Sequence, residues 1–206
     1  DAPRCFATAI SLAPNVADAI DEAVEKCLSQ FVGSSQVDLA MFHVSSSHLN
    51  AVSAGDISSR LRQKLPGLKV YLGATCGGTL ASFGADQEPL EVEAQLAFSL
   101  VLCALPGVEV RPFWLDERSL PGGVSALDVE AWQKIFELPV SPADDAQPIF
   151  LTYPLPGFSN YLGDMLTGLD AAYPRALKAG GIASTVSSLH KPRAWVGFGD
   201  ESDLES

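Results

Sequence analysis

The sequence predicts an α/β fold, a mixed β-sheet containing one long hairpin with amphipathic helices packed on it, in the α/β or α+β class. Three observations predict it. Short apolar runs alternate with segments of helical periodicity through the first third of the chain. The turn signal Leu105-Pro106-Gly107 then separates two apolar runs. Alternation of strand and helix returns after that point. With 47% apolar and 18% charged residues, 206 residues fill one core and are short for two domains. The expected organisation is one domain over residues 1–198 and an acidic tail over 199–206, which frays.

Taken in order, Cys5 to Leu12 is an apolar run of strand formers that Pro14 and Asn15 stop. Asn15 is the expected N-cap of a helix in which Val16, Ile20, Val24 and Leu28 recur every four residues. Ala23, Cys27 and Phe31 flank that stripe, Asp18, Asp21, Glu22 and Glu25 lie elsewhere around the helix, and Gly33-Ser34-Ser35 ends it. Val37 to Val44 predicts a buried strand and Ser45 to His48 a loop. Ile57, Leu61 and Leu65 mark the apolar face of a helix over 49–65, terminated by Pro66-Gly67. Lys69 to Ala74 is the next strand, running out into the flexible turn Gly73-Ala74-Thr75-Cys76-Gly77-Gly78.

Leu90 to Ala104 and Val108 to Leu115 are the two arms of the expected hairpin. Glu91, Glu93 and Gln95 alternate with Val92, Ala94 and Leu96, so one face there is wet and the other buried. A Gly/Pro loop over 116–124 leads to a helix over 125–138 that carries Leu127, Trp132, Ile135 and Phe136. A polar connector over 139–148 precedes a buried strand from Ile149 to Tyr153 and a turn over 154–157. A helix follows over 160–169, weakened by Gly163 and Gly168. Ala179 to Thr185 is a glycine-led approach to the last strand.

Charge narrows the partners. A net charge of -12 repels phosphate backbones and anionic lipid surfaces, so neither nucleic acid nor a charged membrane is the expected partner. The basic runs Arg60 to Lys64 and His190 to Arg193 are short and read as solvated charge. No apolar stretch reaches the ~18 residues of a membrane-spanning helix; Leu96 to Leu105 reads as a buried strand. No signal or transit peptide is visible, and the start at Asp1 rather than Met leaves room for a removed organelle-targeting segment. Cys5, Cys27, Cys76 and Cys103 form no CxxC pair, and three lie in apolar runs. They read as reduced thiols in an intracellular compartment, the cytoplasm or a plastid or other organelle.

Chemistry is sparse. The turn Gly73 to Gly78 follows a strand but lacks the Lys of a phosphate loop and the G-x-G-x-x-G spacing. His43, His48 and His190 form no metal-ligand pattern. Cys76 stands at a strand end and acts as a nucleophile only with a base in reach, which His43 or His48 supplies only if the two strand ends lie side by side. Glu91 and Glu93 share a strand face and read as its solvated side. The reading is of no catalytic residue, no metal and no cofactor.

Six segments, taken together, resemble the N-terminal domain of the FIST family. Asp38-Leu39-Ala40-Met41-Phe42 with Ser45 and His48 is similar to its "DLA-x-F-x-S-x-x-H" strand and loop, and Gly73 to Gly78 to its "G-C-S/T-x-x-G" turn. Glu91-Val92-Glu93 with Leu105 to Phe113 resembles its "E-x-E…LPG-x-x-V-x-PF" stretch. Ile149 to Pro154 is similar to its late strand. Leu169-Asp170 with Tyr173-Pro174, and Gly180 to Ser184, resemble its "LD-x-x-x-P" and "GG-x-AS" signatures. The resemblance covers about 180 residues, and the family's usual C-terminal partner domain is not part of it. It implies a non-enzymatic small-ligand sensory domain linked to signal transduction, with amino acids among the ligands.

Two functions from different classes are therefore expected. In the first, Gly73, Thr75, Cys76, Gly77, Gly78, Gly180, Gly181, Ser184 and Thr185 line a ligand pocket whose bare backbone N–H groups approach a carboxylate. In the second, the chain is an accessory or linker subunit of a larger protein assembly, with Phe31, Trp114, Trp132 and Trp195 as candidates for an apolar docking patch.

Overall fold

The computed structural model describes residues 4–31, 36–50, 54–82, 88–121, 127–139, 147–198 and 204–205. The elements run β1 (Cys5–Ser11), α1 (Val16–Leu28), β2 (Leu39–Ser45), α2 (Ala54–Lys64), β3 (Val70–Cys76), β4 (Gly78–Ala81), β5 (Leu90–Glu93) and β6 (Phe98–Ala104). They continue with α3 (Val129–Phe136), β7 (Ile149–Thr152), α4 (Ser159–Ala172), β8 (Leu177–Gly180), β9 (Ala194–Phe198) and β10 (Leu204–Glu205). This is the α/β fold that the alternation predicts. The residues divide into two units, one holding the chain up to Pro112 together with the segment from Ala183, the other Phe113 to Ile182.

The first unit is built on a mixed six-stranded sheet in the order β1-β6-β2-β3-β9-β10. β2 and β3 are parallel, with Ser45 level with Cys76, and every other pairing is antiparallel. Asn15 caps α1 as expected, its Oδ1 accepting the Ala17 N–H at 2.8 Å. The buried face of α1 is Val16, Ala19, Ile20, Ala23, Val24 and Cys27. Leu28 is exposed, because 3.6 residues per turn rotates a strict four-residue stripe off the core by the fourth repeat. α2 buries Ile57 and Leu61, with Leu65 just beyond it, as its register predicts. Both helices join Ala40, Phe42, Val44, Tyr71, Phe98, Leu100 and Trp195 in one core on one face of the sheet.

Alternation turns Met41, His43 and Ser45 of β2, Ala74 and Cys76 of β3, and Ser99 of β6 to the other face. There the antiparallel ribbon β4–β5 lies over one end of the sheet. Ala81 and Val92 pack with Ile10 and Ala97, while Glu91 and Glu93 face solvent.

Several expectations are corrected. Leu105-Pro106-Gly107 is a turn, with Gly107 at φ 77°, but no hairpin follows. β6 already has β1 on one side and β2 on the other and offers no free edge, and Pro112 removes a donor from the would-be second arm. Gly73 to Cys76 is not a flexible turn but the end of β3, and Gly78 opens β4. Ser45 closes β2, and Ser46–Asn50 is a 3₁₀ turn rather than open loop. The last long strand begins at Ala194, well after the glycines of residues 180–181. Within the tail, Leu204–Glu205 pairs with β9.

The second unit packs α3 and α4 with a two-stranded parallel sheet, β7–β8. Asp128 caps α3 through its Oδ1, which accepts the Glu130 and Ala131 N–H groups. Trp132, Phe136, Phe150, Met165, Leu169 and Tyr173 form its core. β7 is not the buried strand expected. Only Phe150 is buried, and Ile149 stands exposed beside its register partner Leu177 because a two-stranded sheet covers one face only.

Candidate functional site

The expected pocket residues meet only in part. Gly180 and Gly181 belong to the second unit, on the exposed end of β8. Gly180 sits at φ 149°, and a Cβ there meets the Thr152 carbonyl at 1.9 Å; the Gly181 N–H donates to the same carbonyl at 3.2 Å. Glycine at 180 serves the approach of β8 to β7, whereas a Cβ at Gly181 meets nothing within 4 Å. Gly73 is likewise a packing position, since the Phe42 ring fills the space a Cβ needs. At Gly78 a Cβ comes within 3.2 Å of the Val92 carbonyl, across the β4–β5 ladder.

Thr75, Cys76, Gly77, Ser184 and Thr185 do come together in the first unit. The segment from Ala183 to Arg193 has no strand or helix and straps across the carboxyl ends of β2 and β3. The Ser184 N–H donates to the Thr75 carbonyl at 3.0 Å, and Ser184 Oγ accepts the Gly77 N–H at 3.1 Å. The Val186 N–H donates to Ser46 Oγ at 3.1 Å, and the Arg193 N–H to Thr75 Oγ1 at 3.0 Å. Thr75 donates its own N–H to the Arg193 carbonyl at 2.9 Å. Thr185 Oγ1 turns back to the Ser187 carbonyl at 2.9 Å. The backbone N–H groups of Thr75, Gly77, Gly181 and Ser184 are thus spent within the chain.

The carboxyl end of β2 is more informative. Ser45 ends β2, and its Oγ is buried without a hydrogen-bond partner. His48 lies three residues on, one turn of the 3₁₀ segment, and its Nε2 is also buried and unpartnered. The two residues are 2% and 3% exposed. Each such orphan costs about 1–3 kcal/mol unless something absent from the bare chain satisfies it. Cys76 stands next to Ser45 across the parallel ladder, on the same face. On β6, Ser99 shares a buried 2.6 Å hydrogen bond with Thr79 of β4, and β4 touches β1, β2 and β6.

The electrostatics are uniformly neutral. Burial lowers the proton affinity of His43 and His48, so both imidazoles are uncharged at neutral pH. Burial pushes the Cys76 thiol up to about 11, the reverse of the depression a thiolate nucleophile needs. The strand ends of His43, His48 and Cys76 do lie side by side, but the thiol stays protonated there. Cys27 and Cys103 are pushed up to about 12 and about 11, again chiefly by burial, and all four cysteines are unpaired.

Site selection from sequence missed Ser45, Ser46, His48, Thr79 and Ser99 as a group. The available signal was the polar run Ser45-Ser46-Ser47-His48 at the carboxyl end of a buried strand, the edge where α/β sheets bind ligands. Of the aromatic residues considered for a docking patch, Trp132 and Trp195 are core residues, Phe31 packs on the first core, and only Trp114 is exposed. Among the described residues no group of three or more His, Cys, Asp or Glu is placed to hold a metal ion, and no helix is long and apolar enough to cross a membrane. No protein-family model matches the chain, and no curated protein matches it.

Proposed function

We propose that the chain is a non-enzymatic small-ligand-binding module of the FIST N type, with its site at the carboxyl ends of β2 and β3. One observation carries the reading: Ser45 Oγ and His48 Nε2 are buried there without partners. Two orphaned polar atoms three residues apart are an expensive defect in a bare fold and a useful pair of contacts in a liganded one. Ser45 and His48 are also, with Asp38 to Phe42, among the residues through which this segment resembles the family's strand and loop. The resemblance brings amino acids as the first ligands to try, and the four unpaired thiols support a reducing compartment.

The test is a thermal-shift screen of small polar metabolites on the wild type and Ser45→Ala. A ligand at a hundred times its Kd stabilises the wild type by about 2.7 kcal/mol and leaves Ser45→Ala unmoved. The ligand-free variant is the more stable of the two by about 1 kcal/mol, because the removed hydroxyl had no partner. A silent screen together with a destabilised Ser45→Ala overturns the reading, since the hydroxyl is then satisfied by internal water.

A second reading, a subunit of a larger assembly, is favoured by the exposed neighbours Ile149 and Leu177 in the second unit. Native gel filtration from source material tests it. A stoichiometric complex that Ile149→Ser with Leu177→Ser dissociates supports it, and elution at the mass of the single chain removes it.

A further inference from the structure

The chemistry of the same site specifies what it binds, on the reading that it is a ligand site. Its groups are a hydroxyl at Ser45, an imidazole at His48 and a thiol at Cys76, with the Thr79–Ser99 hydroxyl pair nearby on the same face. None of these side chains carries a fixed charge. Three backbone N–H groups that would serve an anion nest are occupied: Gly77 by Ser184 Oγ, Ser184 by the Thr75 carbonyl, Thr75 by the Arg193 carbonyl. Arg193 itself meets Thr75 through its backbone.

A carboxylate or ammonium brought to these buried groups loses its hydration and finds no opposite charge among them, a cost that one or two neutral hydrogen bonds do not return. An amide or hydroxyl loses far less and finds in Ser45 a donor and acceptor, and in neutral His48 whichever of the two its tautomer presents at Nε2. Burial keeps that imidazole neutral. We infer that the site takes an uncharged polar group, an amide or a hydroxyl, which bonds Ser45 Oγ and His48 Nε2 at the carboxyl end of β2. The charged ends of any larger ligand then lie outside it, in solvent.

Cys76 provides the measurement, because it stands beside Ser45 and is only half-buried. Iodoacetamide and iodoacetate alkylate a thiol alike: sulfur displaces iodide, a C–S bond replaces C–I, and the thiol proton goes to solvent. They differ in an amide against a carboxylate. Rates at each cysteine are read by peptide mass spectrometry, and half-buried Cys5 in the same molecule corrects for the net charge of -12. The expected amide-to-carboxylate rate ratio at Cys76 exceeds that at Cys5 by about tenfold, the factor of one added buried hydrogen bond. It falls to the Cys5 value in Ser45→Ala and in His48→Leu. Free acetamide protects Cys76 and acetate does not.

Equal ratios at the two cysteines, or protection by acetate, overturn the inference. If acetate protects and Ser45→Ala abolishes that protection, the ligand class is wrong while the ligand-binding reading survives. If neither compound protects and neither substitution alters the ratio, both fall.

Discussion

Asp38 illustrates how much a single buried charge organises. Its carboxylate is 8% exposed, accepts the Leu105 N–H at 2.5 Å and pairs with Lys69 at 2.6 Å. It therefore joins the start of β2 to the turn after β6 and to the start of β3, three segments distant in sequence. Hydrogen bonds to a charged acceptor contribute more than neutral ones, so Asp38→Ala costs about 2 kcal/mol in urea unfolding. An unchanged midpoint removes this account. Ser45 and His48 are the opposite case, polar and equally buried but without partners, which is why the first residue reads as structural and the other two as functional.

At the scale of elements, β1 is an edge strand with seven residues and no charge, the kind of edge that recruits another chain. Gln30, beyond α1, closes it. Its side-chain amide donates to the Thr8 carbonyl at 2.8 Å and accepts the Thr8 N–H at 3.4 Å, while Lys26 donates to the Ile10 carbonyl at 3.3 Å. Gln30→Ala exposes the edge and promotes concentration-dependent self-association, which light scattering detects; monodisperse variant at the same concentration counts against it.

The two core helices are joined by Asp21, which bonds the Arg60 guanidinium and pairs with Lys64 at 2.8 Å. The Arg60 hydrogen bonds, with Lys64 adding to them, hold the Asp21 carboxyl below its usual value against a smaller opposing effect of burial. A depressed carboxyl contributes stability above its unfolded-state pKa of about 3.9 and loses it as pH falls through the lower folded value. Asp21→Asn is therefore less stable than wild type at pH 7, and the difference shrinks as pH falls below the unfolded-state value of about 3.9 toward the lower folded one. A constant difference across that range refutes the linkage.

Over the whole molecule, both units close their cores by laying an aromatic ring over a glycine. Phe42 covers Gly73 and Tyr71 covers Gly197 in the first unit, and Trp132 covers Gly168 in the second. A Cβ at Gly73 or Gly168 falls 2.3 or 2.2 Å from the ring, so Gly73→Ala and Gly168→Ala each cost about 1–3 kcal/mol by overpacking. Gly163, in the same helix as Gly168, has open space at its Cβ position, and Gly163→Ala gains about 0.5–1 kcal/mol from helix propensity. Opposite shifts of the two α4 variants in thermal unfolding check the argument, and shifts of the same sign refute it.

By itself the sequence determined the local elements: α1 with its Asn15 cap, the Ile57-Leu61-Leu65 face of α2, the wet face of Glu91 and Glu93, and the α/β class that follows from their alternation. These depend on neighbours within a turn or two of chain, and periodicity records them. Only the tertiary structure decided the rest. Val108 to Leu115 carries strand formers, yet β6 has both edges occupied by β1 and β2, which no local pattern reveals. The glycines at 73 and 180 have the composition of a binding turn, but a ring from β2 and a carbonyl from β7 explain them. The candidate site is likewise non-local. Ser45 and Cys76 stand side by side because β2 and β3 run parallel in register, and the segment from Ala183 that meets Ser46 and Gly77 comes from more than a hundred residues later. Hydrogen-bond satisfaction is a property of three-dimensional neighbours, so an orphaned hydroxyl looks in sequence like any other serine.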